Sequence, residues 1–374
     1  MATILGRYRQ AFYPRFDYWL LFVVTALTLF GILMISSSSV VISFERFGTN
    51  WYYLTRQAIA VVVGMLALAI SANIDYRFWR KIASPLMGIS IVLLVLVFIP
   101  GIGLKLSGAS RWINLGPVLL QPSELVKLTF VIYLAAWLER RGEAIRNVES
   151  GLFPFSLLLL LLVGLIVKQP DLGTVIVISL IAASMFWAAG ARTIHLLGGG
   201  LSALALFFVL IRFSSYRWQR FLTFLNPSAD LLGSGYQFNQ TILAIGSGGL
   251  LGLGFGNSRQ KYLYLPQAHT DAIFAVIVEE LGFLRTIPLL AALIFVALRG
   301  LRIARKAPDD FGKLLAVGIA SWVAGQSFVN IAANLGIVPL TGIPLPFVSY
   351  GGSALVTLLI GVGILLNISK RTVT

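Results

Sequence analysis

The sequence contains no cysteine and only two histidines, His195 and His269. Disulfide bonds, thiol nucleophiles and cysteine-ligated metals are therefore excluded. Two imidazoles are too few for a protein-built zinc centre. Charge is scarce too, at 11% of the 374 residues, and a water-soluble surface of this size needs far more. Acid is scarcest, with fourteen Asp and Glu against twenty-nine Lys and Arg.

Apolar residues fill the chain instead, at 58% of the total, and mean hydropathy is +0.89. Long apolar runs alternate with short charged loops, the pattern of a polytopic membrane protein. Ten spans are predicted, near 18–36, 54–71, 84–102, 122–138, 152–167, 174–190, 194–211, 284–300, 313–334 and 351–368. The expected fold is all-α, one membrane domain filling residues 1–374, with no evident internal repeat or soluble domain. The first span is too long, and too poorly equipped with a cleavage site, to be a removable signal peptide.

Basic residues set the expected orientation. Arg7, Arg9 and Arg15 precede the first span, Arg77, Arg80 and Lys81 follow the second, and Arg140, Arg141 and Arg146 follow the fourth. Arg192 follows the sixth span, Arg299 to Lys313 link the eighth and ninth, and Lys370 and Arg371 close the chain. If the spans alternate, all lie on one side, and both termini are cytoplasmic. The opposite side then carries one long loop, 212–271, between spans seven and eight. The net charge of +15 is scattered among the spans. Anionic lipid, rather than nucleic acid, is the partner this distribution fits.

The outer loops are unusual. "GIGLKLSGASRWINLGPVLLQPSE" (101–124) and "PLTGIPLPFVSYGGSA" (339–354) are too apolar to be ordinary solvated loops. Such backbone is tolerated at a bilayer only where it packs on protein or lines a polar cavity. The loop 212–271 holds Arg217, Arg220 and Lys261 and the glycine-rich run "AIGSGGLLGLGFGNS" (244–258). Loops this long are more often functional than idle.

Carboxylates act as a filter. Asp17, Asp75, Glu139, Glu143, Glu149, Asp309 and Asp310 fall among basic neighbours on the cytoplasmic side and read as solvated loop charge. Glu45, Glu124, Asp171, Asp230, Asp271, Glu279 and Glu280 remain towards the other side, where an ionisable group needs a partner or a purpose. Asp271 lies where "YLPQAHTD" runs into the apolar "AIFAVIV". With Thr270 it reads equally as a carboxylate at a helix start or as a catalytic group. If 270–283 is helical, Glu279 lies two turns from Asp271 on the same face, about 12 Å away, and Glu280 faces the other way. Buried pairing with Lys or Arg is the favoured reading of both glutamates. Glu124 and Lys127, in "QPSELVKL", are an i,i+3 pair. They form either a local salt bridge or part of the cavity that Asp271 faces.

These motifs resemble one family. "QPSELVKL", "KQPDLGT" (168–174), "YRWQRFLTFLNPSADLLGSGYQFNQ" (216–240), "YLPQAHTDAIFAVIVEELG" (264–282) and "TGIPLPFVSYGGSALV" (341–356) match, in order, the motifs of the SEDS family of bacterial shape, division and sporulation proteins. "GLGFGNSRQKYLYLP" (252–266) is closer to its division branch than to its elongation branch. The resemblance implies ten membrane helices and a peptidoglycan glycosyltransferase that polymerises lipid II outside the bacterial cytoplasmic membrane, at the division septum. It implies Asp271 as the essential aspartate, Glu124 as an important acid and a divalent cation, magnesium or manganese, held by Asp271 or Glu124. It also implies a class B penicillin-binding protein as partner, alongside other division or elongation proteins. Two positions depart from the family pattern, Gln267 where it has Glu and Arg285 where Gly is common.

The chemistry suits these residues. A sugar hydroxyl attacking an anomeric carbon needs a base, and Asp271 is the candidate. Glycosidases need a second carboxyl, about 5 to 9.5 Å away, whereas a pyrophosphate leaving group needs cations instead. Arg111, Lys127, Arg217, Arg220 and Lys261 are candidates for these. Each has the alternative of pairing with lipid headgroups or with Glu279 and Glu280. His269 is expected to orient its neighbours. Gln237 and Gln240, a helical turn apart, would read sugar or peptide groups. Ser349 in "SYGG" lines the cavity or begins a helix. Two rival functions share the composition: a flippase or transporter of lipid-linked precursor, and a non-enzymatic division scaffold.

Overall fold

The computed structural model describes residues 16–372 apart from 107–108, 115, 117–118 and 227–234. Asp230 thus lies outside the described residues. The chain is a helical membrane bundle. α1 (Tyr18–Ser38), α3 (Tyr52–Asn73), α4 (Tyr76–Leu96), α6 (Phe153–Val167, extended to a span from Val148), α8 (Thr193–Arg212), α11 (Ile273–Arg305), α12 (Asp310–Asn334) and α13 (Gly352–Ser369) are long and apolar enough to cross a bilayer. α5 (Pro122–Arg141) and α7 (Leu172–Ala188) occupy the places of the other two expected spans. α7 is apolar but only 17 residues long. α5 carries Glu124, Lys127, Glu139, Arg140 and Arg141.

α12 and α13 form the protein-enclosed centre, with 72% of each apolar window buried, against 6% for α8. α13 lies on α3, α12 on α11 and α7, and α5 on α4. A Cβ at Gly363 of α13 would sit 2.0 Å from the Ser71 hydroxyl of α3, so this pair approaches through a residue with no side chain. Small residues drive helix association where lipid offers no hydrophobic contrast.

Charge gathers at one end of the bundle. Arg77 pairs with Asp309 at 3.0 Å, Arg80 with Glu139 at 2.8 Å and Arg371 with Asp75 at 2.8 Å, and Arg299 pairs with Asp17. These contacts link the start of α4 to the start of α12 and to the ends of α5 and α13, and the start of α1 to the C-terminal part of α11. It is the end that the basic loops predict to be cytoplasmic.

The structure corrects or adds to the sequence reading in four places. The loop 101–124 holds a three-stranded antiparallel sheet, β1 (Gly103–Leu106), β2 (Ala109–Asn114) and β3 (Leu119–Leu120). Its alternation was masked by glycine and proline. The segment 40–47 is a short helix, α2 (Val40–Phe47). The long loop contains α9 (Ser215–Leu225) and α10 (Tyr236–Gly248).

The fourth correction is the eighth span. It begins eleven residues earlier than predicted and is broken at Gly282, whose φ of 78° and ψ of 171° are not helical. A broken helix frees carbonyls and amides that must be satisfied without lipid. The segment after α10 does this. Leu253 N–H donates to the Glu279 carbonyl at 2.9 Å and Gly254 N–H to that of Glu280 at 2.9 Å. Phe283 and Leu284 N–H donate to Gly249 and Leu250 at 3.0 and 3.1 Å. A Cβ at Gly282 would fall 2.2 Å from the Gly252 nitrogen, so both glycines are required by the close approach as well as by positive φ.

Candidate functional site

Asp271 is delivered by a tight turn ahead of α11. Gln267 has φ 57°, and its carbonyl accepts from Thr270 N at 3.0 Å and Ala272 N at 3.2 Å. Ala272 is the N-cap of α11, without a capping side chain. Asp271 therefore stands just outside the helix and caps nothing, and the helix considered over 270–283 starts only at Ile273 and breaks at Gly282. Two amides one turn apart on α12 grip its backbone, Asn330 Nδ2 at 2.9 Å and Asn334 Nδ2 at 3.0 Å from the Asp271 carbonyl.

The carboxylate is left to face outward. The Thr270 hydroxyl lies 3.0 Å from Oδ1 and Gln237 Nε2, from α10, 3.5 Å from Oδ2. Arg220 of α9 donates to the Leu340 carbonyl at 3.2 Å, and its charge acts on Asp271. Burial pushes the Asp271 pKa above the ordinary carboxylate range, while the Thr270 bond, Arg220 and Gln237 pull it back. Asp271 opens on a recess of about 200 Å³, counted to its mouth, walled by Gln237, Asn330, Asn334, Thr341 and Gly342 among others. Between the walls there is no room for a water molecule, so a substrate must part them.

The other expected residues lie elsewhere. Glu124 and Lys127 are buried together, with Nζ–Oε2 at 2.8 Å. Lys127 also donates to Gln326 Oε1 at 2.7 Å, which takes the Trp322 indole N–H at 2.8 Å. This buried cluster ties α5 to α12. Lys261 is buried with Glu280 at 3.2 Å and with the Ser37 hydroxyl at 3.2 Å. Glu279 accepts from the Ser258 hydroxyl and from Arg259 N at 3.0 Å. Ser258 N–H also donates to Glu280 at 3.4 Å, and among the described residues only Glu280 has the cation expected of both glutamates. Arg111 spends its donors on the carbonyls of Gln169, at 2.8 Å, and Pro170.

His269 is buried against the rings of Tyr53 and Tyr350, with centroids at 4.4 and 5.5 Å. Burial, with some help from Arg46, lowers its pKa to about 4, so the ring is neutral. Ser349 accepts from Leu345 N at 2.7 Å. It lines a second small cavity beside Trp322 and Gln326 rather than the recess. Gln240 lies three residues beyond Gln237 in α10, half-buried. The side chain of Arg217 lies outside the described residues. The recess therefore gathers Asp271 and Gln237, with Thr270 and Arg220 acting on the carboxylate, and not the three candidate cations Arg111, Lys127 and Lys261.

Asn330, Asn334 and Thr341 escaped sequence reading. The i,i+4 asparagines of "VNIAAN" in an apolar span were the available signal. A divalent cation fits only one of its two expected holders. Glu124 is sealed against Lys127. Asp271 faces the recess and suits a cation that takes its remaining ligands from water and phosphate oxygens, as magnesium does. Among the described residues no cluster of three His, Cys, Asp or Glu forms a cage.

Fold and site together define a multi-pass membrane protein that presents the Asp271 carboxylate to a recess at the end of the bundle opposite its ion-paired terminus. The chain matches the cell cycle protein model of FtsW, RodA and SpoVE over residues 18–374, and it belongs to that family. It is 44% identical over 354 residues to a probable peptidoglycan glycosyltransferase FtsW of Trichlorobacter lovleyi, covering 95% of this chain and 93% of that one. It is 41% identical over 352 residues to stage V sporulation protein E of Bacillus subtilis, covering 94% and 96%. Among solved structures it resembles a chain of a peptidoglycan synthase complex that coordinates polymerization and crosslinking. The TM-score there is 0.79 at 32% identity, covering 95% and 98% of the two chains.

Proposed function

We propose that the protein is a peptidoglycan glycosyltransferase that polymerises lipid II at the outer face of the bacterial cytoplasmic membrane, in cell division. The observation that carries the reading is the placement of Asp271, whose backbone is clamped by Asn330 and Asn334 while its carboxylate faces the recess. Its relatives' names supply the reaction class.

In the reaction, the acceptor sugar hydroxyl attacks the anomeric carbon of the donor. The bond from that carbon to the pyrophosphate oxygen breaks, and undecaprenyl pyrophosphate leaves with the electron pair. Asp271 takes the hydroxyl proton. Its raised pKa makes it a stronger base than an exposed aspartate, and Thr270 and Gln237 fix its direction. Arg220 is the described cation nearest in effect to the carboxylate and faces developing negative charge. A divalent cation held at Asp271 would neutralise charge on the pyrophosphate. A class B penicillin-binding protein is the proposed partner, in keeping with the complex that the fold resembles.

Purified protein with lipid II, with and without the transpeptidase, tests the reading. Glycan polymer should form, and Asp271→Ala should abolish it. Polymer at the normal rate from Asp271→Ala would remove the base. Passage of lipid II across vesicles as the sole activity would make the protein a transporter.

A further inference from the structure

Three polar atoms on side chains that wall the recess are buried with no partner: Thr341 Oγ1, Asn330 Oδ1 and Asn334 Oδ1. A buried polar group without a bond is costly, and native proteins keep few of them. The asparagines cannot turn to relieve this. Their Nδ2 groups are held by the Asp271 carbonyl, by the Ile343 carbonyl at 2.7 Å for Asn330, and by the Asn330 carbonyl at 2.9 Å for Asn334. Each Oδ1 is therefore left as an acceptor without a donor. Thr341 precedes Gly342, where the chain turns through φ 72° and a Cβ would stand only 3.8 Å from Asp271 Oδ2. The three atoms and the carboxylate belong to one small chamber.

Its walls say what it takes. Oxygen acceptors repel phosphate, so the pyrophosphate of the donor does not belong there. Amide and hydroxyl oxygens carry no charge, and a cation at the Asp271 carboxylate would draw its other ligands from water and phosphate rather than from them. A neutral, donor-rich group remains: vicinal sugar hydroxyls or an acetamido N–H. We infer that Thr341, with the amide oxygens of Asn330 and Asn334, forms the subsite for the acceptor sugar and presents one of its hydroxyls to Asp271. The inference rests on the glycosyltransferase reading for the identity of that sugar.

Thr341 gives the test, because a hydroxyl without a protein partner can be removed without harming the fold. Thr341→Val keeps the shape, Thr341→Ser restores the hydroxyl, and full-length protein carries each change. Lipid II binding is measured in an Asp271→Asn background, so that no turnover intervenes, and polymerisation is measured separately with Asp271 intact. Thr341→Val should unfold at the same or a higher temperature and bind lipid II about 3- to 10-fold more weakly. KM should rise in step, and Thr341→Ser should return both values to near the parent. Unchanged binding, or a lowered unfolding temperature, would overturn the subsite. So would a Thr341→Val defect relieved by added magnesium rather than by added lipid II, since the Thr341 hydroxyl would then serve a cation and not a sugar. If Asp271→Asn protein itself still makes polymer, the base assignment fails, and the subsite is judged by KM of the Thr341 variants with Asp271 intact.

Discussion

The ammonium of Lys261 lies 3.2 Å from the carboxylate of Glu280, and both groups are sealed from solvent, Lys261 at 8% exposure and Glu280 at 0%. The Ser37 hydroxyl bridges them, 2.6 Å from Glu280 and 3.2 Å from Lys261. Three elements, α1, the glycine-rich loop and the broken α11, thus meet on one ion pair. Breaking a buried pair strands a charge, at a cost of about 3–5 kcal/mol, whereas removing both partners costs much less. Lys261→Met should therefore destabilise the protein strongly, and Lys261→Met with Glu280→Leu should recover most of the loss. Chemical denaturation of the four members of that cycle in detergent measures it.

The base assignment predicts a pH profile. Asp271 works deprotonated and its pKa is raised. Polymerisation should therefore fall, as pH drops, at a higher pH than an ordinary aspartate would give. Arg220 and Gln237 both lower that pKa, so Arg220→Ala and Gln237→Ala should each move the limb further up. Initial rates across pH for the three proteins decide it.

His269 makes the opposite kind of prediction, one about stability. Its folded pKa is about 4 against an ordinary 6.5. Between these values the unfolded chain binds a proton that the folded chain refuses, so stability is lost as pH falls from about 6.5 towards 4. The full effect is on the order of 3 kcal/mol. Replacing the ring by Phe, which keeps the stack on Tyr53 and Tyr350, should flatten unfolding temperature against pH in that window.

Gly282 and Gly252 should tolerate no side chain. At each, a Cβ would meet backbone atoms within 2.4 Å, and positive φ adds strain. Gly282→Ala and Gly252→Ala should each cost several kcal/mol, about as much as a severe core mutation. Gly246→Ala, with open space around it, serves as the control. Thermal unfolding of the three variants makes the comparison.

Much of this molecule was legible in its sequence because a bilayer imposes one period and one length on every span. The apolar runs at 18–36, 54–71 and 313–334 became α1, α3 and α12 with ends shifted by a few residues. Asp271 drew notice because it stands where a polar loop enters an apolar run and because a family motif falls on it. The break at Gly282 was hidden, since no single glycine declares whether it bends a helix. Its meaning lies in Leu253 and Gly254, some thirty residues earlier, whose amides it needs. The alternatives for the cations stayed open for a similar reason. Arg111, Lys127 and Lys261 look alike in sequence, and only their three-dimensional neighbours show that protein oxygens already hold them. Asn330 and Asn334 were overlooked because amides carry no charge to betray them.

The gap in α11 is closed from outside by the stretch that follows α10, and neither piece is sound alone. A descendant that straightened the helix would orphan the amides of Leu253 and Gly254, and one that rebuilt the loop would bare two carbonyls to hydrocarbon. The two segments must therefore be inherited as a pair. Chimeras between relatives should be cut before Tyr236 or after Leu284, never between.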